Sequence, residues 1–267
     1  MSMHYLLYRL LLILLSPILL GYILWLSLRS RSGRYFWQRL GLQTAGLPEN
    51  ALWFHCASVG EVNTALPLLK KIHKLHPEIQ VIVTTNTSTG ALIVARQKLD
   101  YLHHCYLPFD WAHSVKRFLK NVKPHSLYVL ETEIWPRLFS KCRCAGIKIN
   151  IINARLSRKT TSANNFIKAL LKDALDKADA IYARSARQRE SYIALGADPA
   201  KVKTIGNLKF TTAIRSTDED DTAIPIDCEY VLLASSHDDE EKRITEIWEK
   251  FIRDELLVIV PRHPERR

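Results

Sequence analysis

Short apolar runs alternate with helical stretches after residue 50, and this rhythm leaves few folds open to the chain. The runs are continuously apolar, which is typical of strands buried on both faces of a parallel sheet. Strand–helix repeats of this kind predict an α/β fold in which helices cover a parallel sheet. The predicted helices include Thr64–Leu75, Gly90–Leu99, Ser114–Asn121 and Asn165–Lys177. The predicted strands are Leu52–His55, Val81–Thr84, Tyr106–Leu107, Leu127–Leu130, Lys148–Ile152, Ala180–Ala183 and Val202–Ile205.

A polar and acidic segment, residues 215–227, interrupts this rhythm and contains a proline, so we interpret it as a linker. A new pattern follows, with strand Tyr230–Ala234, helix Glu240–Arg253 and strand Leu256–Val260. Two strands and one helix are too few to bury both faces of a doubly wound sheet. We therefore expect one domain over residues 29–214 and an incomplete second domain over residues 228–267.

The N-terminal segment Leu10–Leu28 contains no charged residue. As a single helix it would span about 28 Å, close to the hydrocarbon thickness of a bilayer. The residues after it are basic and offer no small-residue cleavage site, which favours an anchor over a signal peptide. We predict a membrane anchor helix over residues 5–28, with the rest of the chain on the cytoplasmic side. The arginines that follow it are Arg29, Arg31, Arg34 and Arg39.

The formal net charge of +11 indicates an anionic partner, such as a phosphorylated substrate, an acidic lipid or nucleic acid. The sequence contains no nucleic-acid-binding motif and no basic patch interleaved with aromatic residues, which argues against nucleic acid. The five cysteines are irregularly spaced, and Cys142 and Cys144 form only a C-x-C pair. This pattern predicts neither a disulfide framework nor a zinc site.

Polar segments directly follow five of the predicted strands: CASVGEV, TNTSTG, ETEIWP, NARLS and GNLKF. In open parallel sheets, ligands bind beyond the carboxyl ends of the strands. We therefore expect these segments to border a single cleft. TNTSTG leads into a helix and suits either a phosphate or a helix cap, since it lacks the lysine and spacing of a P-loop.

Two of these segments carry candidate catalytic carboxylates. Ser58 and Glu61 have the spacing of a capping box at a helix N-terminus. Glu61 also suits a general base that removes a proton from a hydroxyl group. Glu131 and Glu133 follow a strand and suit a metal, the orientation of a base, or pairing with arginine. The alternative for this pair is a simple loop-to-helix junction before Pro136.

A second set of candidates lies near the end of the chain. Ser235, Ser236 and His237 follow one predicted strand, and Arg262 and His263 follow the next. Hydroxyl groups at a helix N-terminus and the forked donors of arginine suit a phosphate or a carboxylate. The alternatives are an ordinary loop histidine and a solvated basic tail.

Seven strings in this order resemble the 3-deoxy-D-manno-octulosonic acid (Kdo) transferases: HCASVGEV, TTNTSTG, ETEIWP, NARLS, GNLKF, ASSHDDEE and VPRHPER. The resemblance covers essentially the whole chain, including the apolar N-terminus and its basic exit. It implies a GT-B-type glycosyltransferase with two Rossmann-like domains facing a cleft. The implied reaction transfers Kdo from CMP-Kdo to the phosphorylated lipid A precursor (lipid IVA), with inversion and without a metal or other cofactor. The implied location is the inner membrane.

The resemblance also implies roles for particular residues. Glu61 matches the general base of the family, and Ser58 and Gly60 lie in the same motif. Glu131 or Glu133 would support the acceptor side. The residues that match donor-side positions are Ser235, Ser236, His237, Arg262 and His263.

This sequence departs from the family pattern at its C-terminus, because the family continues past PRHPER into glycine-rich loops that hold much of the donor. We therefore expect a C-terminally truncated chain with weak or no transfer activity. Two alternatives stay open at this point. One is an anchored transferase with another acceptor, and the other is a non-catalytic membrane protein that binds phosphorylated lipid.

Overall fold

The computed structural model describes residues 3–30, 32–210, 227–251 and 254–262. The chain divides into two compact units, Met1–Arg215 and Ser216–Arg267. Nearly all of the predicted linker, residues 215–227, lies outside the described residues.

A seven-stranded parallel sheet with the order β3-β2-β1-β4-β5-β6-β7 forms the first unit. This confirms the predicted α/β fold. The sheet is buried as its apolar runs predict, and every residue of β2 is inaccessible to solvent or nearly so. The strands are β1 Leu52–His55, β2 Val81–Thr85, β3 Leu102–Tyr106, β4 Ser126–Leu130, β5 Lys148–Ala154, β6 Ala180–Ala183 and β7 Val202–Thr204.

The third strand begins earlier than its hydropathy indicates. The prediction placed it at Tyr106–Leu107, whereas β3 runs from Leu102 to Tyr106 and pairs with β2. Polar residues fill the first half of this strand. The His104 Nε2 atom lies 2.9 Å from Thr85 Oγ1 on the neighbouring strand, and this cross-strand contact satisfies the imidazole. A search for apolar runs cannot detect such a strand.

Side-chain caps start several helices of the first unit. Ser58, Thr87 and Asn164 each accept a backbone N–H from the first turn of the helix that follows. As a result, α4 begins five residues before the predicted start. The helices are α1 Met3–Leu14, α2 Ser16–Arg29, α3 Gly33–Arg39, α4 Val59–Leu75, α5 Ser88–Arg96, α6 Ala112–Val122, α7 Pro136–Cys144, α8 Arg158–Thr161, α9 Asn165–Leu175 and α10 Ala186–Ala194.

The sheet separates two apolar cores, and β1 contributes to both because successive strand residues point to opposite faces. Trp53 belongs to the core that contains Phe118 and Phe139. Phe54 belongs to the core that contains Leu66 and Leu69 of α4. Both β1 side chains are almost fully buried, so this strand is held rigidly where its carboxyl end meets the candidate site.

The N-terminal apolar segment forms two helices, and the prediction of one membrane-anchor helix over residues 5–28 is not supported. α1 ends at Leu14, α2 starts at Ser16, and their axes differ by 59°. Pro17 lies in the first turn of α2, where a missing N–H is tolerated but continuation of the preceding helix is not. Among the described residues, no single helix has the length and hydropathy to cross a bilayer. The bent pair together meets that criterion by length and composition.

A buried hydrogen bond connects the first apolar helix to the sheet domain. The Tyr8 hydroxyl donates to Asp110 Oδ2 at 2.8 Å. The buried Asp110 carboxylate also accepts the backbone N–H groups of Arg137 and Leu138. Burial raises the pKa of Asp110 to about 6. Near neutral pH, the carboxylate therefore depends on each of its three donors.

We expect Tyr8→Phe to lower the free energy of unfolding by about 2–3 kcal/mol at pH 8, where Asp110 is ionised. The loss should shrink to about 1 kcal/mol at pH 5, because protonation of Asp110 makes the lost hydrogen bond a neutral one. Urea unfolding at both pH values measures this difference. Tyr22→Phe is the matched control, since Tyr22 is 54% exposed. Equal losses for both variants would contradict the prediction.

The second unit contains a strand–helix–strand element with two parallel strands. The strand β8 runs over Tyr230–Ser236, the helix α11 over Asp238–Trp248 and the strand β9 over Leu256–Pro261. The helix begins two residues before its predicted start, and Arg253, its predicted end, lies outside the described residues.

Candidate functional site

The strand order of the first unit has a switch point between β1 and β4. On one side the chain proceeds outward from β1 through β2 to β3, and on the other from β4 to β7. Connections that diverge in this way leave a crevice at the carboxyl ends of the two central strands. The segment that contains Glu61 follows β1, and the segment that contains Glu131 and Glu133 follows β4.

Glu61 lies in the first turn of α4, where Ser58 is the N-cap. The capping box that their spacing predicts forms only in part, because the Glu61 carboxylate accepts the Ala57 N–H and not the N–H of the N-cap residue. The Ala57 N–H donates to Glu61 Oε2 at 2.7 Å, while the Glu61 N–H donates to Ser58 Oγ at 3.4 Å. The Oε1 atom has only a long contact of 3.4 Å with the Ser58 hydroxyl. One carboxylate oxygen is therefore fixed by the backbone, and the other remains available. The capping and functional interpretations are compatible.

The proton affinity of Glu61 suits a general base. Burial raises its pKa to about 7, and the negative charges of Glu133 and Glu131 act in the same direction. The hydrogen bonds from Ala57 and Ser58 act in the opposite direction. A base is most effective when its pKa lies near the operating pH.

Glu133 occupies a different environment from Glu61. Its Oε2 atom accepts the Trp135 indole N–H at 3.0 Å and the Asn86 amide at 3.2 Å, and it lies 3.6 Å from His55 Nε2. The last distance is longer than that of a good hydrogen bond. Burial raises the pKa of Glu133, but His55, Trp135 and Asn86 together lower it by a larger amount. The net shift of this pKa is therefore downward. Glu133 is therefore the carboxylate that stays ionised.

A buried arginine holds the Asn86 amide in place. Arg39, at the end of α3, donates from one guanidinium nitrogen to Asn86 Oδ1 at 3.0 Å and to the Leu107 carbonyl at 2.8 Å. Arg39 is only 8% exposed. Its sequence position among the exit arginines indicated a role at the membrane. The structure places it behind Glu133, and no local sequence signal could have revealed that.

Glu131 has its backbone in the left-handed region, with φ of 56°, and is buried. Its carboxylate forms an ion pair with Arg155, with 2.8 Å between Oε2 and Nε. Of the functions weighed for the two carboxylates, arginine pairing is the one observed for Glu131. No cluster of three or more potential metal ligands occurs among the described residues.

Contacts connect all five polar segments into one rim. Asn86 bonds to Ala57 through the backbone and to Glu133 through its side chain. The Glu131–Arg155 pair joins the next two segments. The Asn153 side-chain oxygen accepts the Leu208 N–H at 3.2 Å. In TNTSTG, the Thr87 side chain caps α5 by accepting the Gly90 N–H, so the capping alternative is realised there.

The donor-side candidates lie in the second unit. Ser235 is in the left-handed region, with φ of 61°. The Ser236 hydroxyl donates to Glu241 at 2.6 Å, and the His237 N–H donates to Glu240 at 3.0 Å. The Arg262 N–H donates to the Ser236 carbonyl, so the ends of β8 and β9 adjoin. His263 lies outside the described residues, and donor binding by all five candidates stays a prediction.

Solved structures with similar folds identify the architectural class. A UDP-GlcNAc 2-epimerase from Neisseria meningitidis bound to UDP-GlcNAc matches with a TM-score of 0.52 and 16% identity, covering 78% of this chain and 64% of that one. The epimerase from Methanocaldococcus jannaschii matches with a TM-score of 0.53 and 14% identity, covering 78% of this chain and 65% of that one. At such low identity these matches show the fold alone.

Sequence comparison identifies the family. The family model for 3-deoxy-D-manno-octulosonic-acid transferases matches residues 34–212. The chain therefore belongs to the Kdo transferases, a family of glycosyltransferases. A 3-deoxy-D-manno-octulosonic acid transferase from Haemophilus influenzae is 32% identical over 97% of this chain and 63% of its own length. One from Rickettsia prowazekii is 32% identical over 80% of this chain and 48% of its own length. The chain thus spans less than two thirds of these relatives.

Proposed function

We propose that this chain provides the acceptor side and part of the donor side of an inverting GT-B-type Kdo transferase. The donor is CMP-Kdo, and the acceptor is the phosphorylated lipid A precursor at the cytoplasmic face of the inner membrane. The observation that carries this proposal is the position of Glu61 at the switch-point crevice. There one carboxylate oxygen is fixed by the Ala57 N–H and the other has only a long contact.

In this reaction Glu61 acts on the acceptor hydroxyl. As the hydroxyl oxygen attacks the anomeric carbon of Kdo, its proton passes to Glu61. The bond from that carbon to the phosphate oxygen breaks, and its electron pair leaves with CMP. Attack opposite the leaving group inverts the anomeric configuration. The charges of Glu133 and Glu131 raise the pKa of Glu61, and the more basic carboxylate favours proton transfer.

On the donor side, Ser235, Ser236, His237, Arg262 and His263 would bind the phosphate or carboxylate of CMP-Kdo. Backbone amides at the start of a helix and an arginine fork suit such anions. On the acceptor side, Ser58 and Gly60 shape the turn that presents Glu61. The bent pair α1–α2 would hold the enzyme at the membrane, where its acyl-chain-bearing acceptor resides.

The test compares this chain with a chimera that adds the remaining C-terminal third of the Haemophilus influenzae relative. We expect the chimera to bind CMP and to transfer labelled Kdo from CMP-Kdo to the precursor. Because part of the donor site is supplied by the added segment, this chain alone should show little transfer. A chimera that binds CMP and the precursor but transfers nothing would overturn the proposal and favour a lipid-binding protein without catalysis.

The pH dependence of the transfer rate should reflect the ionisation of Glu61. Because the base must be ionised, the rate should rise about tenfold per pH unit below pH 7 and level off above it. Glu133→Gln removes a negative charge near Glu61. It should shift the rising limb of the pH–rate profile to lower pH by on the order of half a unit. Glu49→Gln is the matched control, because Glu49 is an exposed partner of Lys123. A limb that stays in place in both variants would contradict the electrostatic coupling.

A further inference from the structure

The bend between α1 and α2 forms one wall of a pocket whose lining includes none of the candidate site residues. This arginine pocket has a volume of about 510 Å³. Its other walls come from the first turn of α6 and the start of α7. The residues that define it here are Arg9, Ile13, Leu20, Trp111, Arg117 and Arg137. Its lining contains three arginines and, among the described residues, no acidic side chain.

Arg137 and Trp111 line the pocket, and each has a buried side-chain donor with no hydrogen-bond partner in the described structure. These donors are the Nε atom of Arg137 and the indole N–H of Trp111. Arg137 is only 7% exposed, and its guanidinium lies 6.0 Å from the ring of Tyr5. Asp110 lies nearby, but its carboxylate is engaged by Tyr8 and two backbone amides. A buried donor without an acceptor costs free energy of folding, and an acceptor atom on a bound ligand would remove that cost.

The same pocket receives the N-terminus of α6, an 11-residue helix whose N-cap residue, Trp111, makes no side-chain cap. Ala112, His113 and Ser114 from this first turn line the pocket. Helix N-terminal amides favour an anion. Together with the buried guanidinium of Arg137, they identify the ligand as an anion with several acceptor oxygens, and phosphate has that character.

An apolar groove adjoins the arginine pocket. It has a volume of about 660 Å³, is lined by Leu7, Leu10, Leu11, Ile13, Leu14 and Phe166, and shares Ile13 with the pocket. The α1 side chains along it are exposed, at 55% for Leu10 and 76% for Leu14. A small water-soluble anion would leave this groove unfilled, whereas an acyl chain would bury it.

We propose that the arginine pocket binds the phosphate of a membrane lipid, and that the lipid's acyl chains occupy the adjoining apolar groove. Arg137 and Trp111 donate to the phosphate from inside, and Arg117 does so from the exposed rim. Because the helix pair bends at Leu15, it lines both the arginine pocket and the adjoining apolar groove. This inference does not depend on sugar transfer, and a catalytically inactive chain would retain the site.

The test is a titration of the full chain, in a nonionic detergent, with dihexanoyl phosphatidic acid, followed by the phosphorus NMR signal of the lipid. We expect saturable binding at one lipid per chain. Arg137→Gln should weaken it by about tenfold or more, and Arg117→Gln and Trp111→Phe by about threefold each. Trp111→Phe changes no charge, so weaker binding by this variant would reflect a specific hydrogen bond and not general electrostatic attraction to an anion. Arg96→Gln, at an exposed position outside the pocket, should stay within about twofold.

Circular dichroism establishes that each variant is folded, and the mild Trp111→Phe and Arg117→Gln changes keep the test valid if Arg137→Gln unfolds. Wild-type binding by both mild variants would overturn the proposal, as would binding of inorganic phosphate as tight as that of the lipid. The phosphorylated lipid A precursor is then added as a competitor. Displacement assigns the pocket to the acceptor lipid, and failure to displace assigns it to a bilayer phospholipid. Both results retain a lipid phosphate as the ligand.

Discussion

Replacing Glu61 by glutamine should lower the rate of Kdo transfer by about 10²–10⁴-fold, the usual contribution of a general base. Glutamine matches the shape of glutamate, can still accept the Ala57 N–H through its side-chain oxygen, and keeps the backbone N–H that donates to Ser58. The fold of α4 should therefore persist. What is lost is the ability to accept a proton. The measurement is the initial rate of labelled Kdo transfer in the chimera.

The same substitution should raise stability, and this separates the loss of a base from the loss of structure. The pKa of Glu61 is raised from 4.5 to about 7 in the folded protein. The folded state therefore holds its proton more tightly, and the free energy of unfolding falls as the pH rises from about 4.5 to about 7. Glu61→Gln avoids this fall and should be about 1–2 kcal/mol more stable at pH 8, after allowance for the exposed part of the carboxylate. Lower stability, or transfer within tenfold of the wild type, would contradict the assignment.

Replacing Gly41 by alanine should be the most damaging single change of stability in the first unit, at about 3–5 kcal/mol. Gly41 connects α3 to the sheet domain with φ of 74°, a conformation that costs residues with a side chain energy. An added Cβ atom would also lie 2.1 Å from the backbone oxygen of Ser114 in α6. Because the nearest atoms belong to the backbone of Ser114, no side chain can move away to make room for the added Cβ atom.

Gly46 provides the matched control for this prediction. Its φ is 83°, but a Cβ atom there would meet nothing within 4 Å. Gly46→Ala should therefore cost only the conformational strain, about 1–2 kcal/mol. Urea unfolding of both variants separates strain from steric overlap. Similar losses for Gly41→Ala and Gly46→Ala would show that α3 and α6 can move apart, which would contradict the close packing seen at Ser114.

Local sequence patterns were sufficient for most of the architecture. Apolar runs such as Val81–Thr84 predict buried parallel strands, and the seven strands of the sheet were all expected, although β3 was misplaced. The order of strand and loop was also sufficient to bring polar segments to the carboxyl ends, because every parallel strand in such a sheet ends at the same edge. The N-cap role of Ser58 follows from spacing alone and is observed, whereas the Glu61 carboxylate accepts the N–H of Ala57, one residue earlier than the spacing predicts.

The sequence by itself thus determined the α/β fold, the polar rim and the candidate base, because hydrophobic periodicity and helix caps act over a few neighbouring residues. The tertiary structure alone decided the environment of those groups. It paired Glu131 with Arg155, placed Arg39 behind Asn86 and Glu133, and attached Tyr8 to Asp110, 102 positions away. Partners so distant in the chain meet only when the sheet is assembled, and burial then sets which carboxylate keeps its proton.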